Sequence, residues 1–181
     1  MWWLMLLGCP PKAPLPDSVA MTRAAAPELA ELGYGQSLPR DADPDALESM
    51  REGEAILLAL SELVPADTSV DSREQAIYVS EQADEALAWF SHAGQDSALR
   101  VPSQARAGDT YRIAYDAVMR TLPSPALLPD DVVAYDAMVA EAGRPLAEDA
   151  RTAYERVLGD PMAPPVWKAH ARWGLVELEV E

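Results

Sequence analysis

The chain has 181 residues, 30 of them acidic against 14 basic, for a formal net charge of -16 at neutral pH. That length suits one compact domain, or one domain plus a tail, able to bury about 70% of its unfolded surface without metal or disulfide. The charge repels nucleic-acid phosphates and anionic lipid headgroups. A single cysteine excludes intrachain disulfides and zinc sites built on paired thiolates.

Alanine occupies 32 positions, whereas isoleucine and threonine together occupy eight. Alanine is the strongest helix former, and strands favour β-branched and aromatic residues. The 16 prolines gather at apparent helix starts, beyond helix ends and in the N-terminal tail. These features predict an all-α protein.

The chain opens with Met1-Trp2-Trp3-Leu4-Met5-Leu6-Leu7-Gly8-Cys9, an apolar run far short of the roughly 20 residues that cross a bilayer. Leu6, Leu7, Gly8 and Cys9 resemble the lipobox of bacterial lipoproteins. The resemblance implies that residues 1–8 are a short signal peptide, that Leu6 to Gly8 form the recognition segment, and that the Cys9 thiol carries a diacylglyceryl group. Two or three acyl chains hold a protein stably on a membrane. Pro10, Pro11, Pro14 and Pro16 then stiffen an extended spacer. With proline rather than aspartate after the cysteine, the resemblance to lipoproteins further implies sorting to the outer membrane, with the domain facing the periplasm. The competing reading is a soluble cytoplasmic protein in which Cys9 stays a free thiol.

Residues 9–43 read as a linker, with one helical turn around 27–32 ended by Gly33-Tyr34-Gly35, and with Tyr34 and Leu38 as docking side chains. The helical domain spans residues 44–181. Asp43 and Pro44 start the first helix as cap and first position, and Ala46, Met50, Gly53, Leu57, Leu60 and Val64 line one face at spacings of three and four. Pro65 stops it. A second helix, capped by Asp71 or Ser72, carries Ala76, Val79, Ala83, Ala86 and Phe90 up to Gly94, and its small residues suit an antiparallel hairpin with the first.

A third helix runs from Pro102 to Leu122 with Ala107, Tyr111, Ala114 and Val118 inward; a fourth opens at Pro129-Asp130-Asp131 and ends at Gly143. A fifth spans Pro145 to Leu158, and a sixth begins near Pro165 with Val166, Trp167, Ala171, Trp173, Gly174 and Leu178.

Ile113–Met119 aligns with Thr152–Leu158, and Ala134-Tyr135-Asp136-Ala137 echoes the same motif. In both full copies a tyrosine, four residues after a tyrosine or an alanine, precedes an apolar pair and a proline turn: Tyr111, Tyr115, Val118, Met119 and Pro123, then Ala150, Tyr154, Val157, Leu158 and Pro161. This order resembles the second helix of a tetratricopeptide repeat. The resemblance implies antiparallel helical hairpins stacked as a short array; the alternative is an irregular six-helix bundle.

Little in the sequence resembles catalytic machinery. His92 sits where a helix C-terminus favours a cation, Asp130 and Asp131 fit an acidic helix start that needs no ion although with Asp136 they offer a divalent ion three carboxylates, and Glu81, Asp84 and Glu85 make a solvated face. His170 lies between Trp167 and Trp173 at spacings of three, as a packed histidine or as part of an aromatic pocket. No nucleophile–base order and no metal-binding spacing emerges, so no cofactor, no metal and no enzymatic activity are expected. The expected function is that of a membrane-anchored, non-catalytic scaffold or protein-interaction module. The groove between helices is the expected contact surface, with Tyr111, Tyr115, Tyr154, Trp167, His170 and Trp173 as candidates.

Overall fold

A computed structural model describes residues 41–63, 72–122 and 128–180. These fold into five helices: α1 (Pro44–Leu63), α2 (Ser72–Ala93), α3 (Arg100–Met119), α4 (Pro129–Gly159) and α5 (Pro165–Val180). The all-α expectation holds. The lipobox residues Leu6, Leu7, Gly8 and Cys9, the linker up to residue 40, and Val64, Pro65, Asp71 and Pro123 lie outside the described residues.

Helix α1 begins as its sequence dictates. The Asp43 carboxylate accepts the backbone N–H groups of Asp45 at 2.9 Å and Ala46 at 3.3 Å, satisfying two donors that have no partner inside the helix. Its stripe then meets that of α2: Met50, Ile56, Leu60, Val79, Ala86 and Phe90 are buried in one cluster. Gly53 permits the close crossing, because a Cβ there would stand 2.6 Å from the Phe90 ring. Ser49 and His92 join the two helices at 2.8 Å through Oγ and Nδ1, so His92 ties α2 to α1 at its last turn.

Helix α3 is the central element. It packs against α1, α2, α4 and α5, whereas α2 and α4 do not pack on each other, nor do α1 and α5. Ser103 and Arg106 reach Met50 and Glu54 on α1, while Asp109 and Arg112 reach His170 and Glu177 on α5. Both registers rise together along the chain, so α1, α3 and α5 run parallel. Against α4 the register reverses, from Arg100–Asp160 at one end to Tyr115–Gly143 at the other, so α3 and α4 form an antiparallel hairpin. Consecutive helices thus alternate direction in a short two-layer array. Pro102 falls within the first turn of α3, where its missing N–H costs no intrahelical bond; this is why the helix starts two residues earlier than its proline suggests.

One boundary differs from expectation. Residues 129–159 form a single 31-residue helix with Pro145 inside it, where the sequence suggests a break at Gly143-Arg144-Pro145. Tertiary packing overrides the local signal. Gly143 is buried against Met119 and Tyr115, so α3 holds both halves of α4 in line, while Pro145 faces outward and the carbonyl deprived of its donor belongs to exposed Glu141.

The merger also changes how the repeated motif sits. Its two copies occupy the partner helices of one hairpin, and each contributes a tyrosine that fills a glycine site on the other: Tyr154 of α4 at Gly108, and Tyr115 of α3 at Gly143. A second core cluster, built on Val101, Ala105, Tyr154, Val157, Trp167 and Ala171, joins α3, α4 and α5.

Candidate functional site

Helix α3 is buried on nearly every side, yet it carries Arg106, Asp109 and Asp116 among its buried residues. Charges taken out of water must be paired and hydrogen-bonded; here Arg106 and Asp109 pair with each other and bond to groups on three other helices, while Asp116 pairs with Arg112 on its own helix. The Asp109 carboxylate accepts the Tyr154 hydroxyl at 2.8 Å, the His170 Nε2–H at 2.8 and 3.0 Å, and an Arg106 Nη1–H at 3.0 Å. Since an ionised carboxylate only accepts, the His170 proton sits on Nε2. Arg106 donates its Nε–H to Glu54 at 2.6 Å, and its guanidinium stands 5.6 Å from the centre of the Trp167 ring. The His170 ring meets Tyr154 and Trp167 edge-on, at centroid distances of 6.1 and 6.0 Å.

The electrostatics follow from burial and partners. Burial alone pushes the Asp109 carboxyl up, but the hydrogen bond and charge of His170, then Arg106 and Tyr154, hold it below the ordinary aspartate range. For Glu54, burial wins over the pull of Arg106, and its carboxyl is raised. Burial opposes the charge of Arg106, but Glu54 and Asp109 overcome it and hold its proton more tightly than usual. Burial, then the neighbouring Asp109 charge, raises the Tyr154 hydroxyl, so it stays protonated and donates to Asp109. A second tier lies toward the end of α3, where Arg112 bridges Asp116 at 3.4 Å and Glu177 at 3.3 Å.

The open surface lies elsewhere. Because α2 and α4 flank α3 without touching, they leave a cleft of about 450 Å³ whose floor is α3. Phe90, Arg100, Gln104, Tyr111, Asp149 and Arg156 are among its lining residues, and no member of the buried Glu54–Arg106–Asp109–His170 cluster is. Arg100 bridges Asp160 at 2.7 Å at the cleft's end. Tyr111 is half-buried, and its hydroxyl is raised by burial and then by the charges of Asp149 and Asp84.

The aromatic candidates therefore separate. Tyr154 is 0% exposed, and Trp167 and His170 are buried beside it; these three belong to the polar core and present no surface to a partner. Tyr111 lines the cleft, Tyr115 is half-buried at the α3–α4 crossing, and Trp173 stands on the outer face of α5, 62% exposed. Glu54, Arg106 and Asp109 carry the internal cluster but no apolar period marks them. Their only signal is opposite charge at a spacing of three in α3, a pattern that is ordinarily solvated. Among the described residues, no group of three or more His, Cys, Asp or Glu side chains gathers as a metal site, and no helix is long and apolar enough to cross a membrane. No protein-family model, curated protein or solved structure matches the chain.

Proposed function

We propose that the protein is a non-catalytic helical interaction module, held at the bacterial cell envelope by lipid on Cys9, whose cleft between α2, α3 and α4 receives a segment of a partner protein. The observation that carries this reading is the separation of chemistry from surface. Glu54, Arg106, Asp109, Tyr154 and His170 bond to one another inside the domain across α1, α3, α4 and α5, while the cleft is lined by Tyr111, Arg100 and Arg156, residue types that dominate protein-binding hot spots. Arg156 at the rim suits a partner segment that carries a carboxylate. Anchoring rests on Leu6-Leu7-Gly8-Cys9 and the proline-rich spacer that follows, with the domain on the periplasmic side of the outer membrane. The helices pack as a short array whose consecutive elements alternate in direction, and arrays of stacked helices commonly present binding surfaces.

Two measurements test this reading. Expressed in a Gram-negative host, the membrane-fraction protein should have a mature mass that matches cleavage before Cys9 plus acyl chains. An intact Met1 with a free thiol would remove the anchor and leave a soluble adaptor. A photo-crosslinking residue at Gln104 in living cells should give a discrete adduct with another envelope polypeptide, lost on Arg156→Glu. No adduct, or one indifferent to Arg156, would overturn the cleft as a partner site.

A further inference from the structure

Helix α5 carries two apolar faces rather than one. Trp167, His170, Ala171 and Gly174 face inward and are buried. On the opposite side Ala169, Trp173 and Val176 recur at spacings of four and three and are all exposed, Trp173 at 62% and Val176 at 49%. Of the described helices only α3 and α4 pack on α5, and both take its inner face. The Trp173 Nε1–H donates to Glu177 at 2.8 Å, so the polar edge of the indole is already bonded within its own helix and its apolar faces are what the surface offers.

The charges that flank this stripe favour one occupant. Arg172 and Glu179 lie seven residues apart along one edge, both exposed. Two α5 helices laid antiparallel, with a two-fold axis between Trp173 and Val176, bring Trp173 of each onto Val176 of the other. The same register brings Arg172 of each near Glu179 of the other, twice by symmetry. The face is self-complementary. It is also locally neutral, with Lys168 and Arg172 set against Glu177 and Glu179 in a chain whose net charge is -16, so it escapes the repulsion between like-charged copies. We propose that the protein pairs with a second copy of itself through the outward face of α5, as an antiparallel helix seam centred on Trp173 and Val176. This surface lies apart from the cleft, and the pairing stands whether or not the cleft binds a partner. One short helix face per chain places the contact at the small end of specific interfaces, so the dimer is a reversible one.

The test is sedimentation equilibrium of the full chain in density-matched detergent, across about 1 to 100 µM, the range in which so small an interface dissociates. Wild type should shift from one to two chain masses. Trp173→Glu should weaken the association at least tenfold, and Arg172→Glu and Glu179→Arg should each weaken it alone. The double variant Arg172→Glu with Glu179→Arg should restore it, because the reciprocal pairs re-form with reversed signs. Thermal melts of each variant confirm folding, since all three positions are exposed. A wild type that stays monomeric throughout, a dimer indifferent to Trp173→Glu, or a double variant as weak as either single one would each overturn the proposal.

Discussion

Asp109→Ala isolates the buried polar cluster. The substitution removes the one acceptor shared by Tyr154, His170 and Arg106. Hydrogen bonds to charged groups are each worth about 1.5–3 kcal/mol, but three that share one carboxylate are not additive, and Arg106 keeps Glu54. Breaking a buried pair by removing one partner costs about 3–5 kcal/mol, and we expect that range here. It is a large part of the roughly 5–15 kcal/mol that a domain commonly has, and corresponds to a fall in Tm of about 6–20 °C. Urea unfolding followed by far-UV circular dichroism reads the difference. Arg100→Ala, which breaks a bridge whose arginine is 51% exposed, serves as the control and should cost under about 1 kcal/mol. A change at Asp109 no larger than at Arg100 would refute the argument that the cluster is buried, paired and stabilising.

The same carboxylate sets an acid limb. Because Asp109 is held below the ordinary aspartate range, its contribution is fully present above its unfolded pKa, about 3.9, and is lost as pH falls through the lower folded value. Wild-type stability should therefore decline below about pH 4, and Asp109→Ala should lack that part of the decline. Glu54 acts in the opposite sense, since its raised carboxyl favours protonation in the folded state and relieves a small cost as pH falls through its folded value.

Further expectations follow from packing and can be measured by the same unfolding assay. Tyr154→Phe keeps the ring but removes its bond to Asp109, and should cost about 1.5–3 kcal/mol. Gly174→Ala places a Cβ 2.3 Å from a Tyr154 ring already flanked by Gly108 on α3, and should cost about 3 kcal/mol by overpacking. Gly159→Ala, with nothing within 4 Å, should be neutral or stabilising by up to about 1 kcal/mol. Pro145→Ala restores a donor inside α4 and should stabilise by about 1–3 kcal/mol.

The α1–α2 hairpin was legible because its apolar period is clean: Met50, Leu57, Leu60, Val79, Ala83 and Phe90 are all buried where their spacing places them. The continuity of α4 was not legible, since Gly143 and Pro145 spell a terminus in local terms and only the packing of Met119 and Tyr115 on Gly143 keeps the helix straight. The buried cluster was hidden for a related reason. Arg106, Asp109 and Glu54 are residue types that ordinarily stay in water, and their burial depends on where three other helices fall. Trp173 stood out in the sequence as an aromatic near His170, yet His170 is buried while Trp173 is 62% exposed, a distinction that a spacing of three alone does not make.

The reach of Arg106 and Asp109 has a bearing on how the array comes apart. Stacked helical units that touch only their neighbours can fray from either end, each end melting on its own schedule. Here α1 and α5 never pack together, but Glu54 on one and His170 on the other are bonded to side chains three residues apart on α3. Loosening either end uncovers a charge that the other end helps to hold. The terminal helices are thereby coupled, and the domain should lose its slowest-exchanging amides in a single cooperative opening instead of peeling away helix by helix.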